Sequence, residues 1–216
     1  MNLLLKVASR GSPLARIQVE EVYREIVKYH PHVEFDPHYV DSRGDKDLKT
    51  SLRDMDKTDF FTREIDQLIL QQHCRIAVHS AKDLPEPIPK GLRLIALTKG
   101  VDSSDVLVLR DNDTLETLPR LPKIASSSYR RDEAIKKWLP NCIIHDIRGS
   151  IHQRLDYLYQ RKVDGVVMAE AAIIRLKLLL NRLKIPGETA PLQGRLAVIA
   201  HAEDKEMAEL FRCISV

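Results

Sequence analysis

Apolar residues recur along this chain of 216 residues with two spacings, that of a β-strand and that of an amphipathic helix. The run Leu3–Ala8 is short and apolar, which predicts a strand. After this strand, Ser12 is suited to cap a helix and Pro13 is suited to occupy the first turn of that helix. Apolar residues then continue at helical spacing, so a helix is predicted from this point to about Tyr29.

The same alternation of strand and helix continues to the end of the chain. Further strands are predicted at 33–40, 75–79, 92–97, 106–109, 124–125, 143–147, 166–169 and 196–200. Helices are predicted around 61–69, after each of the strands that begin at 124, 143 and 166, and at 204–213. Strands that alternate with helices predict parallel βαβ units that are covered on both faces. The expected fold class is therefore α/β.

Two segments interrupt this pattern, at 100–104 and at 186–194, and both are predicted to cross between two halves of the chain. The last strand and helix then return to the first half. The predicted domains are 1–99 plus 192–216, and 100–191. Such a plan places a ligand cleft between the domains, at the carboxyl ends of strands.

Composition excludes several classes of protein. With 44% hydrophobic and 30% charged residues, the chain has the composition of a soluble globular protein. A net charge of +3 is too small to indicate nucleic acid binding, and no run approaches the roughly 20 apolar residues of a membrane span. The three cysteines are odd in number and widely spaced, which fits a reducing, cytoplasmic setting. Neither nucleic acid nor a membrane is expected as a partner.

Cations occupy four predicted junctions between a strand and a helix, where the helix N-terminus already carries about half a positive charge. They are Arg10, Lys82, Arg130, Arg131 and Arg148, with Arg154 one turn into the helix after Ser150. An anion would offset this repulsion, because helix N-termini and guanidinium forks both bind carboxylates or phosphates. The group therefore predicts an anion site, although any one arginine alone fits an internal ion pair better.

Asp83 lies among these cations and allows two interpretations. A carboxylate held there stays charged and can stabilise a developing cation or accept a ring N–H. It can equally cap a helix or pair with Lys82.

Two other motifs carry no chemistry: His79 is predicted to be a hydrogen-bonded strand histidine, with no metal, and Arg43-Gly44-Asp45 is predicted to form a turn.

Seven short motifs follow one another in a fixed order. They are Ser9–Ala15, Ser42–Asp45, Phe61–Glu64, Ile76–Pro85, Ser126–Arg131, Ile147–Leu155 and Ala171–Leu176. Together they resemble the motifs of the porphobilinogen deaminase family, also called hydroxymethylbilane synthases, along nearly the whole chain. The resemblance implies two α/β domains similar to periplasmic binding proteins, with a cleft between them and two hinge crossings.

The resemblance also implies a function. The family joins four porphobilinogen molecules head to tail into hydroxymethylbilane, with loss of ammonia, in tetrapyrrole and haem biosynthesis, and a monomeric transferase is expected. It implies that Asp83 is the catalytic carboxylate and that the substrate is a small pyrrole. Residues expected to hold its acetate and propionate groups are Arg10, Ser12, Lys82, Ser127, Ser128, Arg130, Arg131, Arg148, Arg154 and Arg175.

The family's dipyrromethane cofactor is where the sequence departs. That cofactor is bonded to a cysteine that follows a Gly-Gly pair in a third domain. This chain contains no Gly-Gly pair and ends near the expected start of that domain, so no attachment residue is assigned. Cys213 is the one candidate, although a cysteine in this helix is more typical of a buried apolar residue. Two hypotheses follow: a deaminase, or a two-domain module that binds a polyanionic ligand without turnover.

Overall fold

Two five-stranded sheets organise residues 2–53 and 58–216, the parts of the chain that the computed structural model describes. Within these residues, contacts divide the chain into two units. Unit 1 contains residues 2–47, 58–101 and 194–216, and unit 2 contains 48–53 and 102–193. The sequence places 48–53 with the first half of the chain, whereas their contacts group them with unit 2. The α/β fold class is confirmed.

The elements follow the predicted order closely. The strands are β1 (Leu3–Arg10), β2 (Val33–Val40), β3 (Ile76–Ser80), β4 (Leu92–Leu97), β5 (Asp105–Val108), β6 (Lys123–Ser126), β7 (Ile143–Asp146), β8 (Gly165–Ala169), β9 (Arg182–Lys184) and β10 (Leu196–His201). The helices are α1 (Pro13–Ile26), α2 (Arg43–Lys46), α3 (Arg63–Leu70), α4 (Tyr129–Trp138), α5 (Ile151–Tyr159), α6 (Glu170–Arg175) and α7 (Lys205–Phe211). Short 3₁₀ turns cover Ala81–Asp83 and Arg212–Ile214.

The sheet of unit 1 has the order β2-β1-β3-β10-β4. Strand β1 is parallel to β2 and β3, as predicted, but β10 is antiparallel to both β3 and β4. The parallel βαβ units predicted from the sequence are therefore confirmed for β1, β2 and β3, whereas the antiparallel direction of β10 was not predicted. A helical crossover makes neighbouring strands parallel, and β10 does not follow such a crossover from β3 or β4.

The sheet of unit 2 has the order β7-β6-β8-β5-β9. Strand β6 is parallel to β7 and β8, whereas β5 is antiparallel to β8 and β9. In the register, Asp105 at the start of β5 lies opposite Ala169 at the end of β8. The carboxyl ends of β6, β7 and β8 and the beginning of β5 therefore share one edge. Strand β9 was not predicted, because three residues with two cations carry no strand signal.

Apolar side chains cover both faces of each sheet. In unit 1, Val7 and Val78 pack with α1 on one face, while Ala8 and Ala77 pack with α3 on the other. This division follows from the period of two along a strand. Each buried aliphatic side chain contributes about 1.5–3 kcal/mol relative to exposure, so the strand ends are held in place by the cores.

Helix ends follow local capping chemistry. Ser12 accepts a hydrogen bond from the backbone N–H of Ala15, as the sequence suggests, and α1 ends at Ile26, three residues before Tyr29. The predicted helix 204–213 is divided between α7 and a 3₁₀ turn.

Within the described residues, no helix combines the length and apolar character needed to cross a membrane.

Candidate active site

Asp83 lies just beyond the carboxyl end of β3, as the last residue of the 3₁₀ turn Ala81–Asp83. Strand β3 is buried over Ile76–His79, so the turn starts from a rigid position in the centre of the sheet. The Asp83 side chain is half-buried. Among the described residues it makes no hydrogen bond and no ion pair, including none with Lys82. Asp83 is therefore neither the helix cap nor the Lys82 partner that the sequence also allowed.

Arg10 is the cation whose charge acts on Asp83, but its direct partner is another carboxylate. Its Nε donates to Oδ2 of Asp45 at 3.0 Å, and its Nη2 donates to Oδ1 of the same side chain. Burial opposes the charge on Arg10, yet Asp45, with a smaller contribution from Asp83, raises its pKa. The guanidinium also lies 4.7 Å from the centre of the Phe61 ring. The structure thus places Arg10 in an internal bidentate pair.

The Arg10 partner is presented by one turn of helix, which corrects the prediction of a simple turn at residues 43–45. Ser42 caps α2 by accepting from the Asp45 backbone N–H, and the Asp45 carboxylate accepts a hydrogen bond from the Ser42 backbone N–H. Gly44 packs directly beneath Phe61, and a Cβ atom at this position would overlap the ring. The motifs at 9–15, 42–45 and 61–64 therefore meet around Arg10.

Hydrogen bonds from two helices fix the strand that carries Asp83. Gln18 of α1 donates through Nε2 to the Ser80 hydroxyl at 2.9 Å. His79 Nε2 and Asp66 Oδ1 of α3 are 2.9 Å apart, and both side chains are buried. His79 is thus a hydrogen-bonded strand histidine, as predicted. These polar contacts hold the end of β3 from both faces of the sheet.

Asp105 is the centre of the corresponding edge in unit 2. Its Oδ1 accepts from Arg131 Nε at 2.9 Å and Nη2 at 2.7 Å, and its Oδ2 accepts from Arg130 Nη2 at 2.6 Å. Gln193 Nε2 lies 3.0 Å from Oδ1. Burial acts to raise the pKa of Asp105, but the charges and hydrogen bonds of the two arginines outweigh it and lower the pKa. One carboxylate therefore orients two cations.

Arg154 lacks such a partner. Its Nε donates to the Gly149 carbonyl at 2.9 Å and its Nη1 to the Ser127 hydroxyl at 3.1 Å. Within the described chain, no carboxylate lies at ion-pair distance from Arg154. Burial, together with the charges of Arg131 and Arg148, lowers its pKa to about 10. The surroundings of Arg154 are short of negative charge, as expected where an anion binds.

The structure brings most of the predicted residues together in two sets. In unit 1, Arg10 is the last residue of β1, Ser12 follows β1, and Lys82 and Asp83 follow β3. Ser127, Ser128, Arg130, Arg131, Arg148 and Arg154 follow β6 or β7 of unit 2. Arg175 differs, because it is buried at the C-terminal end of α6, where the helix dipole favours a cation. That these residues bind substrate stays a prediction.

Sequence reasoning missed the supporting carboxylates Asp45 and Asp105. Asp45 lies within a motif, but its pairing with a residue 35 positions earlier carries no local signal. The pairing of Asp105 could have been predicted more readily, because a charged residue at the start of a buried strand needs an oppositely charged or hydrogen-bonding partner.

The three cysteines form no disulfide with one another and differ in exposure. Cys74 is buried, Cys142 is half-buried and Cys213 is exposed, so the expectation of a buried Cys213 is wrong. The Cys213 thiol donates to the Leu210 carbonyl at 3.3 Å, and partial desolvation raises its pKa. Among the residues described, no group of three or more His, Cys, Asp or Glu side chains is placed to hold a metal ion.

Comparison with known sequences decides the family. The sequence profile described as "Porphobilinogen deaminase, dipyromethane cofactor binding domain" matches residues 5–209. The chain belongs to the porphobilinogen deaminase family. A "Probable porphobilinogen deaminase" of Chlamydia muridarum is 42% identical over 195 residues, which are 90% of this chain and 80% of the relative. A porphobilinogen deaminase of Chloroherpeton thalassium is 31% identical over 100% of this chain and 70% of its own length.

Solved structures support the fold of this deaminase family member independently. A periplasmic substrate-binding protein from Coxiella burnetii has a TM-score of 0.59 and 12% identity, covering 97% of this chain and 91% of its own. Substrate binding domain 2 of GlnP from Lactococcus lactis has a TM-score of 0.56 and 11% identity, covering 96% and 86%. Likenesses at this identity show a two-domain α/β fold like that of periplasmic binding proteins, and nothing about ligand.

Proposed function

We propose that this chain is a transferase of tetrapyrrole and haem biosynthesis that condenses four porphobilinogen molecules into hydroxymethylbilane and releases ammonia. Family membership supports the class of reaction. The observation that carries the proposal is Asp83, a half-buried carboxylate without an ion pair or hydrogen bond among the described residues, at the end of a buried strand. A carboxylate kept in this state is suited to meet a positive charge that develops on a substrate.

The proposed role of Asp83 follows from the chemistry of the substrate. The bond between the aminomethyl carbon and its nitrogen breaks, and nitrogen leaves as ammonia with the bonding electrons. The pyrrole is left with a positive charge spread over its ring nitrogen and the methylene carbon. The carboxylate of Asp83 stabilises that charge and accepts the pyrrole N–H. A ring carbon of the pyrrole that ends the growing chain then bonds to the methylene carbon, and that ring loses a proton.

We propose that the arginines bind the acetate and propionate groups of the substrate. Arg154, with Arg148 and Ser127, offers cations and a hydroxyl where negative charge is short. Arg130 and Arg131 share one internal carboxylate, which leaves one positive charge in excess. The remaining members of the proposed set are Arg10, Ser12, Lys82, Ser128 and Arg175.

The dipyrromethane cofactor implied by the family carries the same acetate and propionate groups, and the low negative charge around Arg154 fits them. Ser127, Arg131, Arg148 and Arg154 are the residues that we propose would hold it. When bound, the cofactor supplies the pyrrole carbon to which the first substrate is joined. We propose no attachment residue: Cys213, the one candidate, is exposed, and partial desolvation raises the pKa of its thiol, which disfavours the reactive thiolate.

We further propose that the protein acts as a monomer in the cytoplasm. The three cysteines are unpaired, which fits a reducing compartment. Size-exclusion chromatography with light scattering tests the oligomeric state directly, and a mass near 24.7 kDa is expected.

The proposed reaction is tested by its stoichiometry. The protein is incubated with porphobilinogen, and ammonia and hydroxymethylbilane are measured separately, the latter as uroporphyrin after cyclisation and oxidation. Four ammonia molecules per bilane are expected. Tight binding of porphobilinogen by calorimetry, with no ammonia released, would instead identify the module that binds without turnover.

A further inference from the structure

Arg53 makes contacts that were not predicted from the sequence. It belongs to residues 48–53, which lie between α2 and α3 in sequence but group with unit 2 by their contacts. Its side chain is only 16% exposed. Its Nε lies 2.8 Å from Asp132 Oδ2, its Nη1 lies 3.6 Å from Asp146 Oδ2, and its Nη2 donates to the Ser126 carbonyl at 3.0 Å.

These three partners flank the proposed anion site. Ser126 is the last residue of β6 and directly precedes Ser127. Asp132 is in the first turn of α4 and directly follows Arg131. Asp146 is the last residue of β7, two positions before Arg148. A single guanidinium therefore joins the ends of three elements from which the proposed substrate ligands extend.

The positive charge of Arg53 also acts on the two carboxylates that it contacts, Asp132 and Asp146. Asp132 is almost completely buried, and Asp146 is close enough to Arg154 to act on its pKa. Without a partner, a buried carboxylate turns toward the nearest cation or takes up a proton. Arg53 offers both carboxylates a cation from a separate segment of the chain, so Asp132 and Asp146 need not turn toward Arg154.

We propose that Arg53 is a positioning residue of the anion site: it fixes the end of β6 to the start of α4 and β7, and so sets the orientation of Ser127, Arg131 and Arg154. This inference rests on the proposed function, because it assigns Arg53 to the binding of the substrate carboxylates. Arg53 itself is not assigned a contact with substrate.

Arg110 provides a matched control for a purely structural role. Its side chain is 17% exposed, and it lies 2.8 Å from Asp113, 3.5 Å from Asp164 and 3.0 Å from the Val163 carbonyl. Arg110 therefore has the same burial and the same kinds of partner as Arg53. It follows the end of β5, however, on the edge of the sheet opposite to Asp105.

The experiment compares Arg53→Met with Arg110→Met by steady-state kinetics with porphobilinogen. We expect Arg53→Met to raise the KM about tenfold while kcat changes less than about twofold, because Asp83 is untouched. Arg110→Met should lower the urea midpoint by a similar amount and leave the KM unchanged. Arg53→Lys should recover part of the KM, since it keeps the charge but not the fork. Equal KM values for Arg53→Met and Arg110→Met would overturn the proposal.

A second readout needs neither ligand nor turnover. Hydrogen exchange of peptides covering residues 124–135 should be faster in Arg53→Met and unchanged in Arg110→Met. Unchanged exchange in both variants would overturn the proposal even if the wild-type protein releases no ammonia. If the wild type binds porphobilinogen but does not turn it over, the proposed reaction fails, and the affinities of the two variants still decide the role of Arg53.

Discussion

The predicted site residues of the two units differ in the sign of the charge that lacks an ion pair. In unit 1, Arg10 pairs with Asp45, and Asp83 is a predicted site carboxylate with no ion pair among the described residues. In unit 2, Arg130 and Arg131 pair with Asp105, and Arg154 is a predicted site guanidinium with no ion pair among the described residues. Leaving a part-buried charge without a counterion costs free energy, so such groups concentrate where a ligand supplies the missing charge. We therefore propose that the paired charges belong to the scaffold and that Asp83 and Arg154 interact with a ligand.

Among the substitutions outside Asp83, the largest effect is expected from removing the Arg154 guanidinium of unit 2. Arg154→Met should lower kcat/KM for porphobilinogen about a hundredfold, because a charge-assisted contact with a substrate carboxylate is lost. The exposed Arg120→Met is the control and should leave kcat/KM unchanged. A value for Arg154→Met within twofold of the control would show that Arg154 is a scaffold charge.

A smaller effect is expected from a matched carboxylate. Asp105→Asn releases Arg130 and Arg131 from their common partner and should raise the KM about tenfold, because the two guanidinium groups lose their orientation. The measurement is the KM at constant ionic strength. An unchanged KM would mean that substrate orients these arginines without help from Asp105.

The dependence of stability on acid pH tests the ion pairs of Asp45 and Asp105. Asp45 and Asp105 both have pKa values lowered below the 3.8 of the unfolded chain. Their stabilisation is therefore complete above about that pH and is lost as the pH falls through the lower folded-state values. Urea midpoints measured from pH 6 to pH 2 should fall at the acid end, and Asp105→Asn should reduce that fall. An identical acid limb in Asp105→Asn would contradict the assigned pairing.

The smallest effect is expected at Cys213. Because this side chain is exposed and its thiol donates only to the Leu210 carbonyl within the described structure, Cys213→Ser should change stability by less than about 0.5 kcal/mol and leave turnover unchanged. Intact-protein mass should equal that of the bare chain in both forms. A dipyrromethane adduct that is present in the wild type and absent in Cys213→Ser would assign the attachment site to this residue.

The sequence predicted the strands that carry the site more accurately than the partners of the site residues. Strand β2 and strand β4 have the predicted bounds, because apolar alternation fixes which residues are buried. Motif order located Asp83 and the arginines at strand ends. The pairs Arg10 with Asp45 and Arg131 with Asp105 were not predicted, since they join residues 35 and 26 positions apart through tertiary packing. The reversed direction of β10 likewise depends on connectivity that local patterns do not record.

The central claim, that the unmatched carboxylate of unit 1 is catalytic, is tested most directly by Asp83→Asn. This substitution keeps the shape of the side chain and removes its charge. Ammonia release from porphobilinogen is measured beside Asp36→Asn, a control carboxylate on β2 whose only recorded partner in the described structure is His38. We expect Asp83→Asn to lower kcat about a hundredfold or more with little change in porphobilinogen affinity, and Asp36→Asn to match the wild type. A kcat for Asp83→Asn within a few-fold of the wild type would contradict the account.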